Sequence, residues 1–241
     1  MRQRECSAVR RQLGVGATLL CMMAAVQADP APNHATAAAS AEPASRCTFG
    51  AFVNETDRNG LNVRQAPSVK ARILGTLPPV RMTAELGSFR IKAEVEVLGS
   101  SDGWFLVRGG RDNTVLTNLP PRPAFSGTGW VSGSKLTVKS QATQGLATPN
   151  AGAAVAVRME DGSSFDSDGV VDASRLVACS GQWALVEMRL DDLPEDLRRQ
   201  VQASQVATEG LPAGRIRAWF NALCALQETS CSGLGEPPRT R

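Results

Sequence analysis

The four tryptophans of this chain fall into two matched pairs, and that distribution limits the fold more than any other feature. Trp104 stands in DGWFLV and Trp183 in GQWALV; Trp130 stands in TGWV and Trp219 in RAWF. Between them, short apolar runs alternate with turn residues: LNVR, RILGTL, AEVEVLG, WFLVR, KLTV. Runs of that length predict short, mostly antiparallel strands. AEVEVLG alternates apolar and charged residues, as a half-buried strand does. The SSDG before Trp104 is turn chemistry that joins it to WFLV. The order of the pieces repeats. GLNVRQAPSVKARILGTL, VEVLGSSDGWFLVRGG and GTGWVSGSKLTV are followed by QGLATPNAGAAVAVRM, SRLVACSGQWALVEM and IRAWFNALCALQ.

The N-terminus stands apart from this repeat. Arg2, Arg4, Arg10 and Arg11 precede a short apolar run that ends in Val26-Gln27-Ala28. A basic start, an apolar run too short to span a bilayer and small residues before Asp29 predict a signal peptide over 1–28. Residues 29–46 are rich in Ala, Pro, Ser and Thr and read as a disordered linker. The leader holds four of the 26 basic and one of the 23 acidic residues, leaving 22 of each. A neutral mature chain without a Lys/Arg cluster argues against a nucleic-acid partner. With the leader removed, no membrane span is expected. The expected location is periplasmic or secreted.

Four cysteines remain after the leader: Cys47, Cys179, Cys224 and Cys231. An even count in an oxidising compartment predicts two disulfides. Three pairings are possible. Each of them joins Cys47, in the first repeat, to a cysteine of the second.

The motif order resembles the bacterial SH3-like domain family. The first repeat carries the family's elements as Leu61-Asn62-Val63-Arg64, Pro67, Val95 to Leu98, Gly103-Trp104 to Val107, Gly129-Trp130-Val131 and Leu136. The second repeat departs from it, with LATP in place of LNVR and Ala218-Trp219-Phe220 in place of GWV. The resemblance implies a mainly β chain of two small SH3-like barrels in tandem, over 47–139 and 140–232, with a tail at 233–241. Extra residues between Trp183 and Trp219 imply a short helical insertion in the second barrel. Leu193, Leu197 and Val201 recur at helical spacing there, with Asp192 as N-cap and Pro194 in the first turn.

In so small a barrel a tryptophan either fills the core or borders a groove with one edge. The groove reading makes Asn62, Arg64, Trp104 and Trp130 the candidate ligand-binding residues. The resemblance then implies an exported binding module for cell-wall (peptidoglycan) peptide or a periplasmic protein partner. The alternative is a structural adaptor or inhibitor that docks one envelope enzyme.

Catalysis finds little support. The only histidine, His34, lies in the linker, which leaves no base for a Cys–His or Ser–His hydrolase. No cofactor or metal is expected. Asp166, Asp168 and Asp172 with Gly169 faintly resemble a calcium loop, but the closing glutamate is missing.

Overall fold

The computed structural model describes residues 42–83, 89–114 and 117–224. The leader, most of the linker, Cys231 and the tail lie outside the described residues. The first half contributes β1 (Ser45–Val53), β2 (Leu61–Arg64), β3 (Ile73–Leu77), β4 (Arg81–Thr83), β5 (Phe89–Ile91), β6 (Ala93–Ser101), β7 (Trp104–Asp112), β8 (Thr128–Ser132) and β9 (Leu136–Thr137). The second half contributes β10 (Gln144–Leu146), β11 (Val155–Met159), β12 (Ser174–Ser180), β13 (Trp183–Arg189), β14 (Val201–Ala203) and β15 (Arg215–Phe220). Three short helices, α1 (Asp168–Asp172), α2 (Glu195–Gln200) and α3 (Gln205–Thr208), complete it. The protein is mainly β, built of curled antiparallel sheets.

One large sheet runs β3-β2-β8-β7-β6-β1-β9 and a second β12-β13-β15-β10-β11-β14, while β4 and β5 form a separate two-stranded sheet. Within the two large sheets, β3-β2-β8-β7-β6 and β11-β10-β15-β13-β12 have the same order, strand for strand. The register agrees as well. Trp104 pairs with Ser101 and Trp183 with Ser180. Trp130 lies between Leu106 and Arg64, and Trp219 between Leu185 and Leu146. Each long hairpin is bulged in the same place, between Val97 and Gly99 in the first and between Leu176 and Ala178 in the second. The two-residue turn of the first hairpin suits the right-handed twist of its strands: Asp102 and Gly103 both take positive φ (48° and 77°), the type I′ arrangement.

The halves differ in their additions. In the first, β1 pairs with β6 and β9 pairs with β1. β1 begins at Ser45, so Ser45 and Arg46 belong to the sheet rather than to the linker, held by pairing with Ser100 and Gly99. In the second, β14 covers the free edge of β11, with Val157 opposite Ala203 and Met159 opposite Val201. A short helix does lie in the insertion, but that pairing limits its length. The helix covers only Glu195–Gln200 after Pro194, and Val201 already belongs to a strand because the β11 edge supplies its hydrogen-bond partners. Asp192 lies in a 3-10 turn and does not cap α2. The apolar stripe still packs inward: Leu193 is buried, and Leu197 and Val201 lie partly buried against the core.

A continuous core joins the halves. Ala51, Val63, Phe105 and Val131 of the first sheet belong to the same buried cluster as Val157, Met188, Ile216 and Phe220 of the second. All described residues fall in a single compact unit. The contact between the sheets centres on β12, packed against β1, β6 and β9. Cys47 and Cys179 form a disulfide there, with Cα atoms 6.0 Å apart across 132 residues of sequence. Beside it, Gly181 donates to the Arg46 carbonyl and accepts from the Thr48 amide, both at 2.9 Å. Cys224 is also disulfide-bonded. Among the described residues no helix is long and apolar enough to cross a membrane.

Candidate functional site

Strand alternation places every tryptophan on the face of its sheet that points away from the shared core. In the first sheet, Phe105 and Val107 point inward and are buried, while Trp104 and Leu106, which alternate with them, are only half-buried. Cross-strand pairing carries this outer face along a row of Gly99, Leu106, Trp130, Arg64 and Ile73. Three of the four expected ligand-binding residues, Arg64, Trp104 and Trp130, therefore share one face with Asn62, two residues from Arg64 on β2.

They do not form a tryptophan-lined groove. Trp130 has no exposed surface, so its indole fills space instead of facing a ligand. Its Nε1 has no hydrogen-bond partner among the described residues. Arg64 turns to its own loop, donating through Nη1 to the Ala71 carbonyl at 2.8 Å. Asn62 and Trp104 remain half-buried.

The equivalent row of the second sheet is open. Ala178, Leu185, Trp219, Leu146 and Val155 pair in succession across five strands. The first four are half-buried and Val155 is 40% exposed. Leu146 stands where the first sheet has Arg64, so the row is apolar from end to end. The next row lies two residues further along β13 and β15, about 7 Å away, and three along β12, where the bulge adds one. It holds Arg175, Glu187 and Arg217 in register. Glu187 has no exposed surface, and its carboxylate accepts from three arginines. Oε1 takes hydrogen bonds from Arg175 and from Arg215 (3.1 Å), and Oε2 takes two from Arg217 (3.0 and 2.5 Å). Burial alone would raise the Glu187 pKa. The hydrogen bonds and charges of Arg217 and Arg175 outweigh it and hold the carboxyl below the usual carboxylate range.

Two other charged clusters, over β6–β7 and around α1, are internally balanced. A cleft of about 530 Å³ over β6 and β7 is lined by Glu94, Glu96, Arg108 and Arg111. There Arg108 pairs with Glu96 at 2.8 Å and Arg111 with Glu94 at 2.6 Å. The acidic segment around α1 does not converge on a cation: Asp166 accepts from Ser164, Asp168 pairs with Lys139, and Asp172 pairs with Lys92 and Arg90. Among the described residues, no three His, Cys, Asp or Glu side chains are placed to hold a metal ion.

Sequence reading singled out the first-sheet tryptophan face and passed over the second. The usable signal was the repeat itself. Trp219 lies in an alternating RIRAWF, where Arg215, Arg217 and Trp219 fall on one side and Ile216, Ala218 and Phe220 on the other. Comparison of the chain with protein-family models, with curated proteins and with solved structures finds no match.

Proposed function

We propose that this chain is an exported, non-catalytic binding protein of two SH3-like units in tandem, which recognises a cell-wall peptide or a periplasmic protein partner. The disulfide between Cys47 and Cys179 is compatible with an extracytoplasmic location, where such bonds persist. Most of the motif residues that carry the SH3-like resemblance lie on β2, β6, β7 and β8, with Leu136 on β9 and Pro67 and Gly103 in turns, and the order of β2, β3, β6, β7 and β8 recurs in the second half. One observation carries the binding reading: the Ala178–Leu185–Trp219–Leu146–Val155 row is a continuous apolar strip left accessible on an outer sheet face. Aromatic residues set among aliphatic ones on such strips supply contact area at low entropic cost.

The test is sedimentation of the purified, oxidised full chain with isolated cell walls, together with capture from an envelope extract. The wild-type chain is expected to be retained by one of them, and Trp219→Ala to lose that retention while keeping its fold. Retention unaffected by Trp219→Ala would remove this face from the function.

A further inference from the structure

We infer that the Arg175, Arg215 and Arg217 cluster makes the open face of the second sheet selective for acidic peptides, in which a carboxylate lies two residues from an aliphatic side chain. This rests on the reading of that face as a binding surface and adds the chemistry of its partner.

The cluster carries more positive charge than its own fold consumes. Each guanidinium offers five N–H donors. Glu187 takes one from Arg175, one from Arg215 and two from Arg217. No other carboxylate among the described residues pairs with these arginines. Three cations thus surround one anion. Their side chains are 34%, 34% and 38% exposed, whereas the Glu187 side chain is fully enclosed. Glu187 acts as an internal anchor that holds the three guanidiniums in place, and the surplus charge faces solvent. Arginine clusters held this way suit carboxylates, which accept paired N–H donors in a fixed geometry.

The repeat shows that the surplus is not needed to build the hairpin. The positions that hold Arg175 and Glu187 in the second sheet hold Glu96 and Arg108 in the first, in the same register. There one cation meets one anion, and Thr128 stands opposite Arg108 where Arg217 stands opposite Glu187. One pair with reversed sign satisfies the same site. The additional arginines are a property of the second face alone.

The spacing defines the ligand. Along β15, Trp219 and Arg217 are two residues apart on the same side, about 7 Å. An extended peptide repeats its side chains on one face at the same interval. A peptide lying along β15 with an aliphatic side chain over Leu185 and Trp219 therefore brings the residue two positions away over Arg217.

The test uses two defined peptides, acetyl-Gly-Leu-Gly-Glu-Gly-amide and its Gln counterpart. Each is titrated into the oxidised full chain while the Trp219 indole N–H is followed by NMR. The Glu peptide is expected to bind about fivefold tighter than the Gln peptide, with the difference shrinking in high salt. Arg217→Gln leaves Glu187 paired with Arg175 and Arg215, and it should abolish the difference. Arg215→Gln, which also keeps two partners for Glu187, should reduce it. Equal affinity for the two peptides in the wild-type chain overturns the inference, as does a preference that survives both substitutions or a face that takes up neither peptide. The binding reading is judged separately by the Trp219-dependence of cell-wall or extract retention. Acid selectivity can therefore fail while the face stands.

Discussion

Ser100 and Cys179 occupy the same position in their respective hairpins, one residue before the serine that pairs with the hairpin tryptophan, and they touch each other. The Cys179 amide donates to the Ser100 hydroxyl at 3.1 Å, next to the Cys47–Cys179 disulfide. The two halves thus meet at equivalent points, and both contacts are buried.

The disulfide should therefore stabilise the whole molecule. It closes a separation of 132 residues, and removing such a bridge costs about 2–5 kcal/mol. Cys47→Ser is expected to lower the urea midpoint by a corresponding amount, with both sheets still unfolding in one transition. Two separate transitions in the oxidised wild-type protein would show that the shared core does not couple the halves. Non-reducing tryptic mapping should recover a peptide of Cys47 linked to one of Cys179.

Gly133 tests the same contact without touching sulfur. A Cβ there would lie 2.5 Å from the Leu176 carbonyl oxygen and 2.5 Å from the Phe105 ring, one in each sheet. Neither backbone nor ring can withdraw without moving the sheets apart. Gly133→Ala should cost roughly 1–3 kcal/mol by overpacking, read as a lower midpoint in thermal unfolding. An unchanged midpoint would mean that the contact is looser than this spacing requires.

The two register-equivalent tryptophans should respond differently. Trp130 is fully buried, so Trp130→Ala should destabilise by about 3–5 kcal/mol. Trp219 is half-buried, and its loss should cost roughly 1–2 kcal/mol of apolar burial while removing binding. Far-UV and near-UV circular dichroism with a retention assay separate the cases. A folded Trp130→Ala variant with a selective binding defect would return that residue to the ligand site.

Acid should unfold the protein through its enclosed carboxylates. Burial would raise the Asp112 pKa, but the hydrogen bonds of Arg122 and the charges of Arg122 and Arg81 pull it below the usual range, as Arg217 and Arg175 do for Glu187. A carboxyl depressed in the folded state takes up its proton first in the unfolded state. The stability from these pairs is then full above the ordinary carboxylate range, about pH 4, and is lost as pH falls through the lower folded values. Urea midpoints should be flat above about pH 5 and fall below about pH 4. Glu187→Gln should begin less stable and fall less steeply; an unaltered slope would exclude Glu187 from the acid transition.

Local sequence was enough to place most strands. Alternation in AEVEVLG and RIRAWF, the Asp-Gly turn before Trp104 and the matched tryptophans specify hairpins because side-chain direction and turn geometry are set within a few residues. Cysteine counting likewise placed a bond from Cys47 into the second half, given that all four mature cysteines pair within one chain. Tertiary structure chose Cys179 as its partner, since β12 packs directly against β1. It also turned Val201 from helical spacing into a strand, because the edge of β11 offers hydrogen bonds that helix propensity cannot match. The site was decided at the same level. Arg175, Glu187 and Arg217 are scattered along the chain and meet only through cross-strand register. Trp130 and Trp219 have the same strand position and the same outward direction, yet one is enclosed and the other open. Burial of an outward side chain depends on what long-range folding lays over it, and no local pattern encodes that.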